Sequence, residues 1–155
     1  LEHDYKNDEK IIVYPNSDTG SVIFIKELEK MKNRKHFHLF RNLPRKTFLN
    51  VFKQAACIVG NSSAGIIESG ALHIPTLSIG GRQRDRQRGA NVLEADYDAK
   101  SIRKCMRKVL SPAFIQMTKR AKSPYGNGGV GKKIVALLER LLSHPRLRYK
   151  EFVDA

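Results

Sequence analysis

Short apolar runs rich in β-favouring residues alternate with stretches of helical periodicity, and this alternation constrains the chain more than any other feature. Lys10-Ile11-Ile12-Val13-Tyr14 reads as a buried strand, stopped by Pro15-Asn16 and the turn residues Ser17 to Gly20. Val22, Ile25, Leu28 and Met31 then recur at helical spacing. Phe37 to Phe40 reads as a second strand. Pro44 opens a second helix, where its missing N–H costs no hydrogen bond, and Phe48, Val51 and Phe52 mark that helix's inner face. Cys57-Ile58-Val59 and Thr76-Leu77-Ser78-Ile79 are two more strand runs, separated by a helix over Ala64 to Leu72; Asn91-Val92-Leu93 reads as a short edge strand. Helices over 99–110, 112–122 and 130–143 follow, and a basic tail covers 145–155. Parallel strands need crossovers and crossovers are usually helices, so this order predicts an α/β fold: a parallel sheet with helices on both faces. Without repeats, low-complexity tracts or linkers, residues 1–155 read as a single domain.

At 155 residues the chain can bury one core of this kind, and a hydrophobic share of 41% is ordinary for a globular protein. No apolar run approaches the roughly 20 residues of a membrane span. The N-terminus, Leu1-Glu2-His3, carries no basic-then-apolar signal pattern and reads as a cut end. Cys57 and Cys105 are too few for a disulfide framework, and no Cys/His spacing suggests zinc. Cys57 sits in an apolar run and is expected to be a buried thiol. The cytoplasm is the expected compartment.

The charge widens the possibilities before the motifs narrow them. Twenty-nine Lys and Arg against fifteen Asp and Glu give a net +14, compatible with nucleic acid, anionic membrane or phosphate ligands. The basic residues are dispersed, with a cluster at Arg82, Arg84, Arg86 and Arg88, and no aromatic residues interleave to stack bases. Solvated basic faces account for most of this charge, and direct nucleic-acid binding is disfavoured.

In open parallel sheets ligands bind beyond the C-terminal strand ends. Three loops there carry unusual chemistry. After Val59, Gly60 allows a sharp turn, and Asn61, Ser62 and Ser63 are strong helix caps, so the segment can present N–H groups and hydroxyls to an anion. Gly65 permits close approach, and Glu68, one turn on, suits paired ribose hydroxyls as acidic residues do in dinucleotide folds. A helix cap beside a solvent-facing Glu is the plainer alternative. The second loop, Gly80 to Gly89, carries arginines able to clamp a diphosphate, or merely a solvated basic surface. The third, Pro15 to Ser21, reads by itself as ordinary turn chemistry, with Ser21 or Asp18 as helix cap. Among the histidines, His36 and His38 straddle Phe37 at strand spacing and His73 ends a helix; none has a partner that makes a nucleophile–base pair.

As an ordered set these segments are far more specific than any one of them. Tyr14 to Gly20, Asn42-Leu43-Pro44, Gly60 to Glu68, Ile74-Pro75-Thr76, Ile79 to Gln83, Gly89 to Val92 and Tyr125 to Gly128 resemble, in order and spacing, the C-terminal domain of UDP-N-acetylglucosamine 2-epimerases. The nearer resemblance is to the hydrolysing branch, which makes N-acetylmannosamine and UDP for sialic acid biosynthesis. It implies a Rossmann-like domain from a two-domain, glycosyltransferase-B-type fold with UDP in the cleft. Carried over by position, Ser62 and Ser63 hold the diphosphate, Glu68 the ribose hydroxyls, Asn16 and Arg82 the phosphate or sugar side, and Phe48 with the backbone near Asn42 the uracil. No metal or cofactor is implied. The acid–base residues belong to an N-terminal domain absent from this chain, which is therefore expected not to turn over alone; the complete enzyme is expected to be a homo-oligomer. A UDP-sugar glycosyltransferase domain and a non-hydrolysing epimerase are alternatives within the fold class. A non-catalytic UDP-sugar sensor or a basic nucleic-acid-binding module is the alternative outside it.

Overall fold

The computed structural model describes residues 4–126 and 128–144. The tail 145–155 and Asn127, part of the Tyr125–Gly128 motif, lie outside the described residues. The described residues form five strands: β1 (Lys10–Val13), β2 (Phe37–Phe40), β3 (Ile58–Gly60), β4 (Thr76–Ile79) and β5 (Val92–Ala95). Among the described residues, six α-helices intervene or follow: α1 (Ser21–Glu29), α2 (Arg45–Gln54), α3 (Ile67–Leu72), α4 (Ala99–Val109), α5 (Pro112–Arg120) and α6 (Val130–Leu142). The α/β alternation is as the sequence predicts, and every pairing is parallel. The ladder is in two parts, however: β1 with β2, and β3-β4-β5 in that order. In register, Lys10 faces Phe37, and Val59, Leu77 and Leu93 lie side by side. Chain packing also divides, into one compact unit over Leu1–Pro124 and a second over Tyr125–Ala155, where the pattern had read as one domain.

The core of the larger unit lies between the three-stranded part and α4–α5. Leu77, Ala95, Met106, Val109 and Phe114 are its buried members. Ile102, Met106 and Val109 fall at helical spacing on α4 and put one stripe onto the sheet. Leu77 and Val109 are fully buried, each contributing on the order of 1.5–3 kcal/mol. Both helices start on side-chain caps. Asp98 accepts from Ser101 N at 2.9 Å, and Ser111, followed by Pro112, accepts from Phe114 N at 3.3 Å. Cys57, half-buried rather than buried, packs beside this core, and desolvation pushes its thiol up to about 11.

The two parts of the ladder differ in cover. Thr76, Leu77 and Ser78 of β4 are buried, as expected for a central strand with both faces covered. β1 and β2 instead alternate half-buried and exposed residues, leaving Ile11, Val13 and Phe40 on an open face. The run Lys10–Tyr14 is therefore not the fully buried strand its composition suggests.

A buried polar network ties the strand ends to α3. Asn91, with no exposed surface, donates from Nδ2 to Ser69 Oγ and to Ile74 O, both at 2.9 Å. Ser69 Oγ in turn donates to Gly65 O at 2.6 Å. His73 ends α3 in the left-handed conformation (φ 54°), which turns the chain into Ile74-Pro75 and β4.

Candidate functional site

The parallel strands bring four loops to one end: Tyr14–Gly20 after β1, Arg41–Pro44 after β2, Asn61–Ile66 after β3 and Gly80–Arg88 after β4. The predicted residues Asn16, Asn42, Ser62, Ser63 and Arg82 lie on these loops. Glu68 and Phe48 lie on the helices that follow, α3 and α2.

The loop after β3 departs from the sequence reading in one respect. The helix expected from Ala64 to Leu72 is broken: Ser63–Gly65 forms a 3-10 turn, Ile66 joins it, and α3 begins at Ile67. Ser62 caps the turn, its Oγ accepting from Ala64 N at 3.3 Å. The break follows from close packing. A Cβ on Gly65 would stand 3.2 Å from Thr76 Cγ2, so the turn lies down on the sheet where a regular helix would stand off. Gly60, at φ 148°, supplies the bend that starts it. Beneath the turn is a pocket of about 20 Å³ lined by Gly60, Ser62, Gly65 and Thr76, with the buried Ser78 hydroxyl in its wall. That volume admits about one water and no larger group.

Side-chain bonds join the loops in pairs. Gln83, buried, donates from Nε2 to Asn61 O at 3.0 Å and ties the Gly80 loop to the capped turn. Arg82 Nη2 donates to Asp18 Oδ2 at 2.7 Å, joining the Gly80 loop to the loop after β1. Arg45, the first residue of α2, donates from Nη1 to Glu68 Oε1 at 3.0 Å. Asp18 is thus a partner for Arg82 and not the helix cap suggested by its position; α1 begins at Ser21, with Gly20 at its N-cap and no side-chain cap bond. Phe48 is half-buried, its ring 5.1 Å from that of Phe52 on the same helix.

The arginine run divides by use. Arg88 donates from Nη2 to Gln83 O and Arg84 O and from Nε to Arg86 O, and its Nη1 pairs with Glu94. It closes its own loop and is spent there, so the clamp considered for the whole run reduces to Arg82 with the exposed Arg84 and Arg86. His36 and His38 belong elsewhere. Both bond to Glu9, at 2.8 and 2.6 Å, before the first register pair of β1 and β2 and therefore at the opposite strand ends.

Sequence reasoning did not find Arg45, Gln83 or Arg88 in these roles. Arg45 left one local signal: a cation at a helix N-terminus that has no acidic residue in its first turn. Among the described residues no group of three His, Cys, Asp or Glu side chains is arranged to hold a metal ion, and no helix is long and apolar enough to cross a membrane.

The model of the UDP-N-acetylglucosamine 2-epimerase family matches residues 1–139. The chain belongs to this family. It is 39% identical over 92 residues to the UDP-N-acetylglucosamine 2-epimerase of Neisseria meningitidis serogroup B, covering 59% of this chain and 24% of that protein. It is 30% identical over 151 residues to the GDP/UDP-N,N'-diacetylbacillosamine 2-epimerase (hydrolyzing) of Campylobacter jejuni, covering 96% of this chain and 39% of that one. Among solved structures, the Neisseria meningitidis UDP-GlcNAc 2-epimerase bound to UDP-GlcNAc superposes with a TM-score of 0.62 at 18% identity, over 90% of this chain and 38% of that one. At that identity the likeness speaks for the fold. This 2-epimerase family chain therefore spans 24% to 39% of the length of these relatives.

Proposed function

We propose that this 2-epimerase family chain is the nucleotide-holding part of a hydrolysing UDP-sugar 2-epimerase. The observation that supports it best is the joining of the capped turn, the Gly80 loop, the loop after β1 and the head of α2 at one end of the parallel strands, by Gln83–Asn61, Arg82–Asp18 and Arg45–Glu68. UDP lies over this end. The hydroxyls of Ser62 and Ser63 donate to the diphosphate. A 3-10 turn and a six-residue α3 carry little macrodipole, so these donors act as individual hydrogen bonds. Glu68 accepts from ribose hydroxyls, Arg82 and Asn16 face the phosphate or sugar side, and Phe48 with the backbone near Asn42 packs on the uracil.

The reaction of the complete enzyme is UDP-GlcNAc plus water to N-acetylmannosamine plus UDP, in sialic acid or related amino-sugar synthesis in the cytoplasm. A base removes the C2 proton while the C1–O bond to UDP breaks; water then adds across the resulting double bond. This chain's share is to bind UDP and stabilise charge on the departing diphosphate. The base comes from an N-terminal domain of the same enzyme, a homo-oligomer, and residues 1–155 alone do not turn over.

Titration calorimetry with UDP tests this reading. Binding that Glu68→Ala weakens supports it. Strongly salt-dependent binding to duplex DNA with no response to UDP sinks it in favour of a nucleic-acid-binding module. Release of UDP from UDP-GlcNAc by the 155-residue chain alone contradicts the assignment of the base to another domain.

A further inference from the structure

Arg45 is placed against its own helix's electrostatics. It opens α2 where the N–H groups leave a partial positive charge, Lys46 follows it, and no acidic residue stands in that first turn. Its compensation comes from another helix, 23 residues along the chain: Nη1 reaches Glu68 Oε1 at 3.0 Å. Arg45 remains well exposed, at 67%, while Glu68 is only 23% exposed. The arginine therefore reaches in to the carboxylate. Contact is through one nitrogen and one oxygen, and Oε2 is not engaged by it. Glu68 is also fixed from below, because the next residue, Ser69, is buried and bonded to Gly65 O and Asn91.

We propose that Arg45 is a positioning residue for ribose recognition. It holds one oxygen of Glu68 so that the other is presented to a ribose hydroxyl. The inference rests on the nucleotide reading above. It adds that the choice between ribose and deoxyribose depends on a residue of α2 that touches no nucleotide atom.

The test compares UDP with 2′-deoxy-UDP, by calorimetry on the 155-residue chain. Wild type is expected to prefer UDP, and Glu68→Ala to bring the two affinities together. Arg45→Ala is expected to lose about fivefold in UDP affinity with a smaller loss for 2′-deoxy-UDP, shrinking the preference; Arg45→Lys restores part of it. Lys46→Ala, which removes a neighbouring cation not bonded to Glu68, is expected to weaken both nucleotides equally. An undiminished preference in Arg45→Ala, with wild type binding UDP and Glu68→Ala impaired, overturns the role of Arg45 and leaves the nucleotide site standing. Failure of wild type to bind UDP overturns both. Equal melting temperatures across the variants exclude misfolding as the cause.

Discussion

Arg82 Nη2 lies 2.7 Å from Asp18 Oδ2, so the loop after β4 is bonded to the loop after β1 across 64 residues of sequence. Both side chains are about half exposed, which limits such a pair to about 1 kcal/mol at most. A diphosphate carries more charge and two oxygens in fork geometry, and can displace a single carboxylate from the guanidinium.

On the proposed nucleotide reading, Asp18 competes with the ligand for Arg82. Asp18→Asn is expected to raise UDP affinity by up to about fivefold, whereas Arg82→Ala lowers it. In the Arg82→Ala background Asp18→Asn should change nothing, because the competition has lost its object. Calorimetry on the four proteins of this cycle measures the coupling, and an equal effect of Asp18→Asn with and without Arg82 refutes it.

At Gly80 two effects oppose substitution, and their sizes can be separated. A Cβ there would stand 2.0 Å from Tyr97 Cζ, and the backbone, at φ 75° and ψ −174°, lies in a region open almost only to glycine. Tyr97 is 73% exposed, so its ring can swing away, while the backbone strain of about 1–3 kcal/mol cannot be relieved that way. Gly80→Ala should lower unfolding stability by about that amount, and by the same amount in a Tyr97→Ala background. Recovery of most of the loss on removing Tyr97 would show the clash to be the larger effect.

Asn91 offers a test of the support beneath Glu68. Asn91→Ala removes two buried hydrogen bonds and leaves the Ile74 carbonyl without this donor. A loss of about 2–3 kcal/mol is expected from denaturant midpoints at unchanged slope. A loss below about 0.5 kcal/mol would mean that these bonds contribute little beyond what water supplies.

Acid should act first on the far end of β1 and β2. Hydrogen bonds from His36, then from His38, hold Glu9 below its ordinary value of 4.5. Because the folded value is the lower one, the stabilisation is present above the unfolded value and disappears as pH falls through the folded one. Glu9→Gln should therefore show a lower urea midpoint than wild type near pH 6, with the gap closing as pH falls below 4.5 and through the folded value. A gap that stays constant over that range would remove Glu9 as its source.

Much of this protein is legible along the chain because the causes are local. Strand runs at Phe37–Phe40 and Thr76–Ile79, the opening of α2 after Pro44 and the capping role of Ser62 each follow from a few adjacent residues. The ordered motifs identified the family from the same local information. Other features depend on partners distant in sequence. Asp18 looks like a cap until the fold brings Arg82 to it; Arg88 looks like a ligand clamp until its own loop's carbonyls surround it. The expected helix over Ala64–Leu72 breaks because Gly65 packs on Thr76, a contact that no periodicity within the segment encodes. Composition and spacing determined which elements form and in what order, since propensities, caps and turns act within a few residues. Tertiary structure alone decided which charges pair, because a hydrogen bond depends on ångström distances that sequence separation does not constrain.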